Sequence, residues 1–117
     1  MKFSTILLDQ TLKKKRYEQE ELRKQTLKKL DKILHEMSKI IPFRGAYIFG
    51  SITKPYQFTR ESDVDIAFLG LDDCDFFRAM SILSIKLKRD VDIVQLEHHR
   101  IKDKIIRDGI KWKKSYL

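Results

Sequence analysis

The residues best suited to chemistry fall in one stretch, YIFGSITKPYQFTRESDVDIAFLG (47–70), and a short companion, VDIV (91–94). Asp63 and Asp65 stand two apart in an alternating run, so on a strand both carboxylates project to one side while Val64, Ile66 and Phe68 take the other. Asp92 alternates with Val91 and Ile93 in the same way, and a strand laid beside the first brings a third carboxylate to that face. Like charges gathered at one spot repel, and protonation, basic side chains or cations must relieve them. Oxygen donors of this kind suit Mg²⁺. A pair of such ions, ~3.5–4 Å apart, can align a phosphate for in-line displacement and stabilise the attacking and leaving oxygens together. Just upstream, Gly50 lets the backbone approach a ligand closely, and Ser51 offers a hydroxyl and a backbone N–H to a phosphate at the start of a helical turn. One side of the region is built for cations and the other for anions.

An Asp-x-Asp pair by itself also describes a solvated surface strand. The apolar alternation of Val64, Ile66 and Phe68 and the AFLG ending instead predict a central strand, whose acids need partners.

The elements that must position these acids are legible as patterns. Leu27, Leu30, Leu34, Met37 and Ile41 recur at three-four spacing, which predicts a helix ended by Pro42. Upstream, KKKRYEQEELRKQ (13–25) keeps strong helix formers with almost no apolar stripe, so the helix is expected to extend into solvent or toward another chain. Its far end carries Ile6, Leu7, Leu8 and Leu12, which suggest a contact with a partner or a fold-back onto the core. AYIFG (46–50) reads as a buried strand, 52–62 with Pro55 as a turn and loop, and 63–70 as a second strand. A helix over about 74–89, capped by Asp72 or Asp73, presents Phe76, Met80, Leu83 and Leu87. VDIVQL (91–96) is a third strand. A last helix over about 99–108 is expected to bury Ile101, Ile105 and Ile106 before Gly109 ends it. The order predicts one small mixed layer of sheet and helices.

At 117 residues, 36% of them charged and 42% hydrophobic, the chain suits a single folded domain with a polar exterior. No apolar run reaches membrane-spanning length, and a cytoplasmic location is expected. One cysteine, Cys74, excludes an intrachain disulfide, and with three scattered histidines it makes no zinc spacing. The formal charge of +8 is concentrated at the two ends, 13–32 and 100–117, while the middle is slightly acidic. Basic ends fit RNA, DNA, nucleotide phosphates or an acidic protein partner, or simply solvated helix faces.

The set FGS (49–51), SDVDIAF (62–68) and VDIV (91–94) resembles the minimal nucleotidyltransferases of the polymerase-beta superfamily. Their pattern is a Gly-Ser, an Asp-x-Asp and an aspartate on a third strand. IIRDGIKW (105–112) is similar to that family's closing segment, so the resemblance covers about 27–113. It implies an α+β fold with a short mixed sheet flanked by helices and a long N-terminal helix. The chain then divides into a charged helical extension, 1–26, and a nucleotidyltransferase domain, 27–117. Gly50, Ser51, Lys54 and Ser62 are the implied nucleotide-binding residues. Asp63 and Asp65 are implied to hold two Mg²⁺ ions, and Asp92 to complete one metal site and help activate the acceptor hydroxyl. Where the family follows Gly-Ser with an Arg-x-Arg-Gly run, this chain has Ile52-Thr53-Lys54-Pro55, with Lys54 in place of the second arginine.

Small stand-alone members of the family resemble the antitoxin half of a gene pair whose other half is an all-helical HEPN ribonuclease toxin. The resemblance implies transfer of AMP from ATP to a tyrosine of that toxin. The alternatives left open are an antitoxin that acts by binding alone, a transferase for a small-molecule acceptor, and a basic nucleic-acid-binding domain. Outside the motif, His35 reads as structural, and His98 and His99 as capping or surface residues. Arg60, Lys104, Arg107 and Lys111 read as phosphate ligands or solvated charges. Trp112 and Tyr116, with Lys113 and Lys114, read as base-stacking or packing residues. Cys74 reads as a buried or helix-start residue.

Overall fold

The computed structural model describes residues 2–113, with side chains from residue 5. Lys114 and Tyr116 lie outside the described residues. The first 41 residues contain no glycine or proline, and a single helix, α1 (Lys2–Met37), fills most of them. It then loosens into a turn in which the Ile41 N–H still donates to the Met37 carbonyl at 2.9 Å, so Ile41 stays buried although it is off the helix. Among the described residues, the second half of α1 packs an apolar face against the body at Leu30, Ile33, Leu34 and Met37, with Thr26 buried beside them. The first half projects, and the molecule measures 60 × 27 × 27 Å.

Three strands follow as expected: β1 (Gly45–Phe49), β2 (Val64–Leu69) and β3 (Val91–Gln95). A fourth, β4 (Ile110–Lys113), was not evident from the alternation of its side chains. The sheet order is β3-β2-β1-β4; β1 is antiparallel to both β2 and β4, and β2 is parallel to β3. The parallel step needs a crossover, supplied by α2 (Phe76–Leu87). A left-handed residue, Lys88 (φ 55°), ends α2.

Val64, Ile66 and Phe68 of β2, Val91 and Ile93 of β3, and Ala46 and Ile48 of β1 bury one sheet face against α1 and α2. The opposite face carries a smaller cluster, Ala67, Leu96 and Ile105, under α3 (Lys102–Asp108). Each large side chain in the main core removes enough apolar surface from water to contribute ~1.5–3 kcal/mol. Trp112 of β4 is buried, edge-on to His35 and tilted against Phe43. That placement assigns His35 and Trp112 to packing.

Several local expectations need correction. Ile101 and Ile106 are exposed, because α3 starts only at Lys102 and a single turn-spaced residue, Ile105, meets the sheet. Neither Asp72 nor Asp73 caps α2 with its side chain; Asp73 instead accepts a hydrogen bond from Gln95 at 2.6 Å, across the loop. Cys74 does precede the helix but is exposed. Among the described residues, no helix is long and apolar enough to cross a membrane.

Candidate active site

Pairing in register brings the acids together. Asp65 of β2 lies opposite Asp92 of parallel β3, and on its other side opposite Phe49 of β1. Asp63 is the residue before β2 and so projects to the same face as Asp65. That face is covered by α3 farther along the strands, over Ala67, and is open at the end where the acids stand. Asp63 and Asp92 are exposed and Asp65 is half-buried. Burial, then the charges of Asp92 and Asp63, push the Asp65 carboxyl up to about 6 from an ordinary 3.8.

β1 ends where β2 begins, so its C-terminal residue delivers Gly50 to the same place. Gly50 has φ +83°, and a Cβ there would stand 2.1 Å from Asp65 Oδ2. Only glycine allows the chain to turn this close to the carboxylate. Ser51, half-buried, opens a 3-10 turn (Ser51–Thr53). The turn is fixed by the Thr53 hydroxyl, which donates to the Gly50 carbonyl at 2.7 Å. Lys54 follows, exposed, and its charge reaches Asp108 at the end of α3.

The loop between these parts is held at both ends by residues that sequence reasoning did not single out. Arg89 donates to the carbonyls of Ser62 (2.8 Å) and Thr59 (3.2 Å) and lies over the Phe58 ring at 4.5 Å. Burial draws its affinity for a proton down, while Asp63 and Glu61 oppose that shift. At the other end, Glu20 of α1 accepts from the Tyr56 N–H at 2.9 Å, and Arg23 donates to the Ile52 carbonyl at 3.3 Å. A buried aromatic two residues before an exposed arginine, FTR at 58–60, was the one available hint that this loop is anchored. Ser62 turns its hydroxyl inward to accept from the Thr59 N–H at 2.9 Å.

Other candidates sit elsewhere. His98 lies with Gly70–Asp73 at the far end of β2 and β3, and the His99 ring accepts from the Ile101 N–H at 3.3 Å. Arg60 edges an open groove beside α1. Lys104, Arg107 and Lys111 are exposed, and Arg107 pairs with Asp108 at 3.1 Å. Among the described residues, the acidic set with ligand atoms all within 4.8 Å of one another is Asp72, Cys74 and Asp75, at the start of α2.

Residues 28–113 match the family model described as polymerase beta, nucleotidyltransferase. The chain belongs to the polymerase beta nucleotidyltransferase family. No curated protein matches it closely enough to add to this. Solved structures similar to this nucleotidyltransferase include a mutant of the toxin–antitoxin pair MntA–HpeT, 28% identical, with TM-score 0.57 over 73% of this chain and 72% of that one. A toxin–antitoxin structure with AMP-PNP is likewise 28% identical, with TM-score 0.58 over 76% and 73% of the two chains. A nucleotidyltransferase from Sulfolobus solfataricus shares the fold at 24% identity and TM-score 0.52, over 88% of this chain and 95% of that one.

Proposed function

We propose that this nucleotidyltransferase transfers AMP from ATP to a tyrosine hydroxyl of a partner HEPN toxin and thereby silences the toxin's ribonuclease activity. The observation that carries the reading is the in-register pair Asp65 and Asp92, with Asp63 beside them and Gly50 pressed against the Asp65 carboxylate. The likeness to toxin–antitoxin structures, one of them with AMP-PNP, supports the choice of partner and nucleotide.

The donor set fits divalent cations: three carboxylates on one open face, one of them half-buried and held toward its neutral form by that burial and by the charges of the other two. Asp63 and Asp65 would hold two Mg²⁺ ions, and Asp92 would complete one of the sites. Bound there, the cations supply charge neutralisation of the phosphates and of the leaving oxygen. Gly50, Ser51 and Lys54 would form the nucleotide side, and Ser62 would join it only by giving up the bond its hydroxyl accepts from the Thr59 N–H. In the proposed reaction the tyrosine oxygen attacks the α-phosphorus, the bond from that phosphorus to the bridging oxygen breaks, and pyrophosphate leaves. The phenolic proton passes to Asp92. Catalysis of this kind rests on positioning and electrostatics, which is what a rigid strand pair provides.

The test is intact-protein mass spectrometry of the adjacent-gene product incubated with this chain, ATP and Mg²⁺, beside the Asp63→Asn/Asp65→Asn double variant. A gain of one or more AMP masses that disappears in the variant is expected. Neutralisation of the toxin without any mass gain, equal in wild type and variant, would favour an antitoxin that works by binding alone.

A further inference from the structure

We propose that the projecting half of α1 pairs two copies of this chain, antiparallel and crossing near Tyr17. The face of α1 that the body covers from Leu22 onward continues backward at the same three-four spacing through Gln19, Lys15, Leu12 and Leu8. Beyond the body no described residue covers it. Leu8 is 58% exposed and Leu12 44%, with Ile6 and Leu7 beside them at similar values. Apolar side chains grouped on a projecting helix mark a contact surface rather than scattered surface residues.

Charge decides the occupant. Lys13, Lys14, Lys15 and Arg16 lie immediately before Tyr17, and Glu18, Glu20 and Glu21 immediately after it. Glu20 is already held by Arg23 at 2.9 Å and by the Tyr56 N–H. Among the described residues, Lys13, Lys14, Lys15, Glu18 and Glu21 have no ion pair within the chain. A second copy running parallel would set basic block on basic block. Running antiparallel about Tyr17, it sets the basic block of each copy against the acidic block of the other. Such complementarity fixes partner orientation in paired helices.

The same reversal solves the apolar problem. Leu12 lies five residues before Tyr17 and Leu22 five after, so the two meet across the pair. Leu8 reaches the level of Thr26, one residue past Gln25. There, an open groove of about 500 Å³ runs between Glu18, Leu22 and Gln25 of α1 and Thr59–Glu61 of the loop. The leucines of one copy would enter the groove of the other, twice per dimer, as a two-fold contact requires.

Sedimentation velocity of the full chain tests this, with circular dichroism to show that each variant stays folded. The wild-type chain is expected to sediment at twice its own mass, and Leu8→Glu/Leu12→Glu at its own mass. Glu18→Lys/Glu21→Lys and Lys13→Glu/Lys14→Glu are each expected to be monomeric alone and to form a mixed dimer when combined. A wild-type monomer at every concentration overturns the proposal, as does a dimer that none of these changes weakens. A chain that is monomeric alone, but loses its hold on a protein partner in the leucine variant, overturns the second copy as the occupant.

Discussion

Gly50 abuts the carboxylate of Asp65 so closely that a Cβ on it would stand 2.1 Å from the Asp65 Oδ2. Gly50→Ala therefore must either move the carboxylate or distort the turn that leads to Ser51. Forcing an L side chain into φ +83° adds ~1–2 kcal/mol of strain. A displacement of about 1 Å at a reacting centre costs on the order of 10²-fold in rate. Single-turnover AMP transfer should fall by about that factor while circular dichroism remains native; unchanged transfer would remove Gly50 from the site.

Asp65 gives the site a pH signature. Its carboxyl is raised to about 6, so the folded state takes up this proton more readily than the unfolded chain, whose ordinary value is 3.8. The contribution to stability is complete below 3.8 and is lost as pH rises through 6. Because Asp65 is only half-buried, solvent screening reduces the effect to ~1 kcal/mol. In metal-free buffer, Asp65→Asn should unfold at higher denaturant than wild type at pH 7 and match it at pH 4. A difference independent of pH would point to packing rather than charge.

Arg89 acts on the acids through the loop. It binds two successive turns of backbone, at Thr59 and Ser62, one residue before Asp63. Arg89→Ala removes the Arg89 bond from the half-buried Ser62 carbonyl, while the Thr59 carbonyl keeps the Ser62 N–H at 3.2 Å, and the loss costs ~1–3 kcal/mol. The Mg²⁺ concentration for half-maximal transfer should rise more than the ATP KM does, because Asp63 loses its fixed position. Arg89→Lys should recover only part of this, since an ammonium can donate to the carbonyls that Nη1 bridges but lacks the guanidinium plane that lies over Phe58. Equal losses in both parameters would indicate general destabilisation.

Trp112 ties the edge strand to the core. It is 5% exposed between His35 and Phe43, and truncation of a buried tryptophan costs ~3–5 kcal/mol. Trp112→Ala should lower the thermal midpoint sharply, and activity measured well below that midpoint should persist. Loss of transfer in a fully folded variant would give Trp112 a role at the site.

The sequence announced the acids because chemistry constrained both faces of β2. Val64, Ile66 and Phe68 had to be apolar, and Asp63 and Asp65 therefore stood out between them. β4 escaped notice because only Trp112 of its four residues is buried; Ile110, Lys111 and Lys113 alternate nothing. The true start of α3 was hidden by the Leu96–His98 turn, which satisfies backbone groups locally and leaves Ile101 outside the packed face. The anchors of the 51–62 loop were illegible for a different reason. Arg89 and Glu20 lie about thirty residues from the carbonyls and N–H they bind, and a lone charged residue looks the same in sequence whether it is solvated or bonded.

The strand order also bears on how the chain folds. β1 and β2 form an antiparallel neighbour pair, and α2 carries the chain directly into β3, so every element supporting the three acids is in place once Val91–Gln95 has paired. β4 pairs with β1 from the opposite end of the domain and closes the longest loop in the sheet. Contacts of long sequence separation form slowly. The acid cluster should thus assemble before the Trp112 edge locks, and until β4 pairs, β1 has an open side on which another strand could pair.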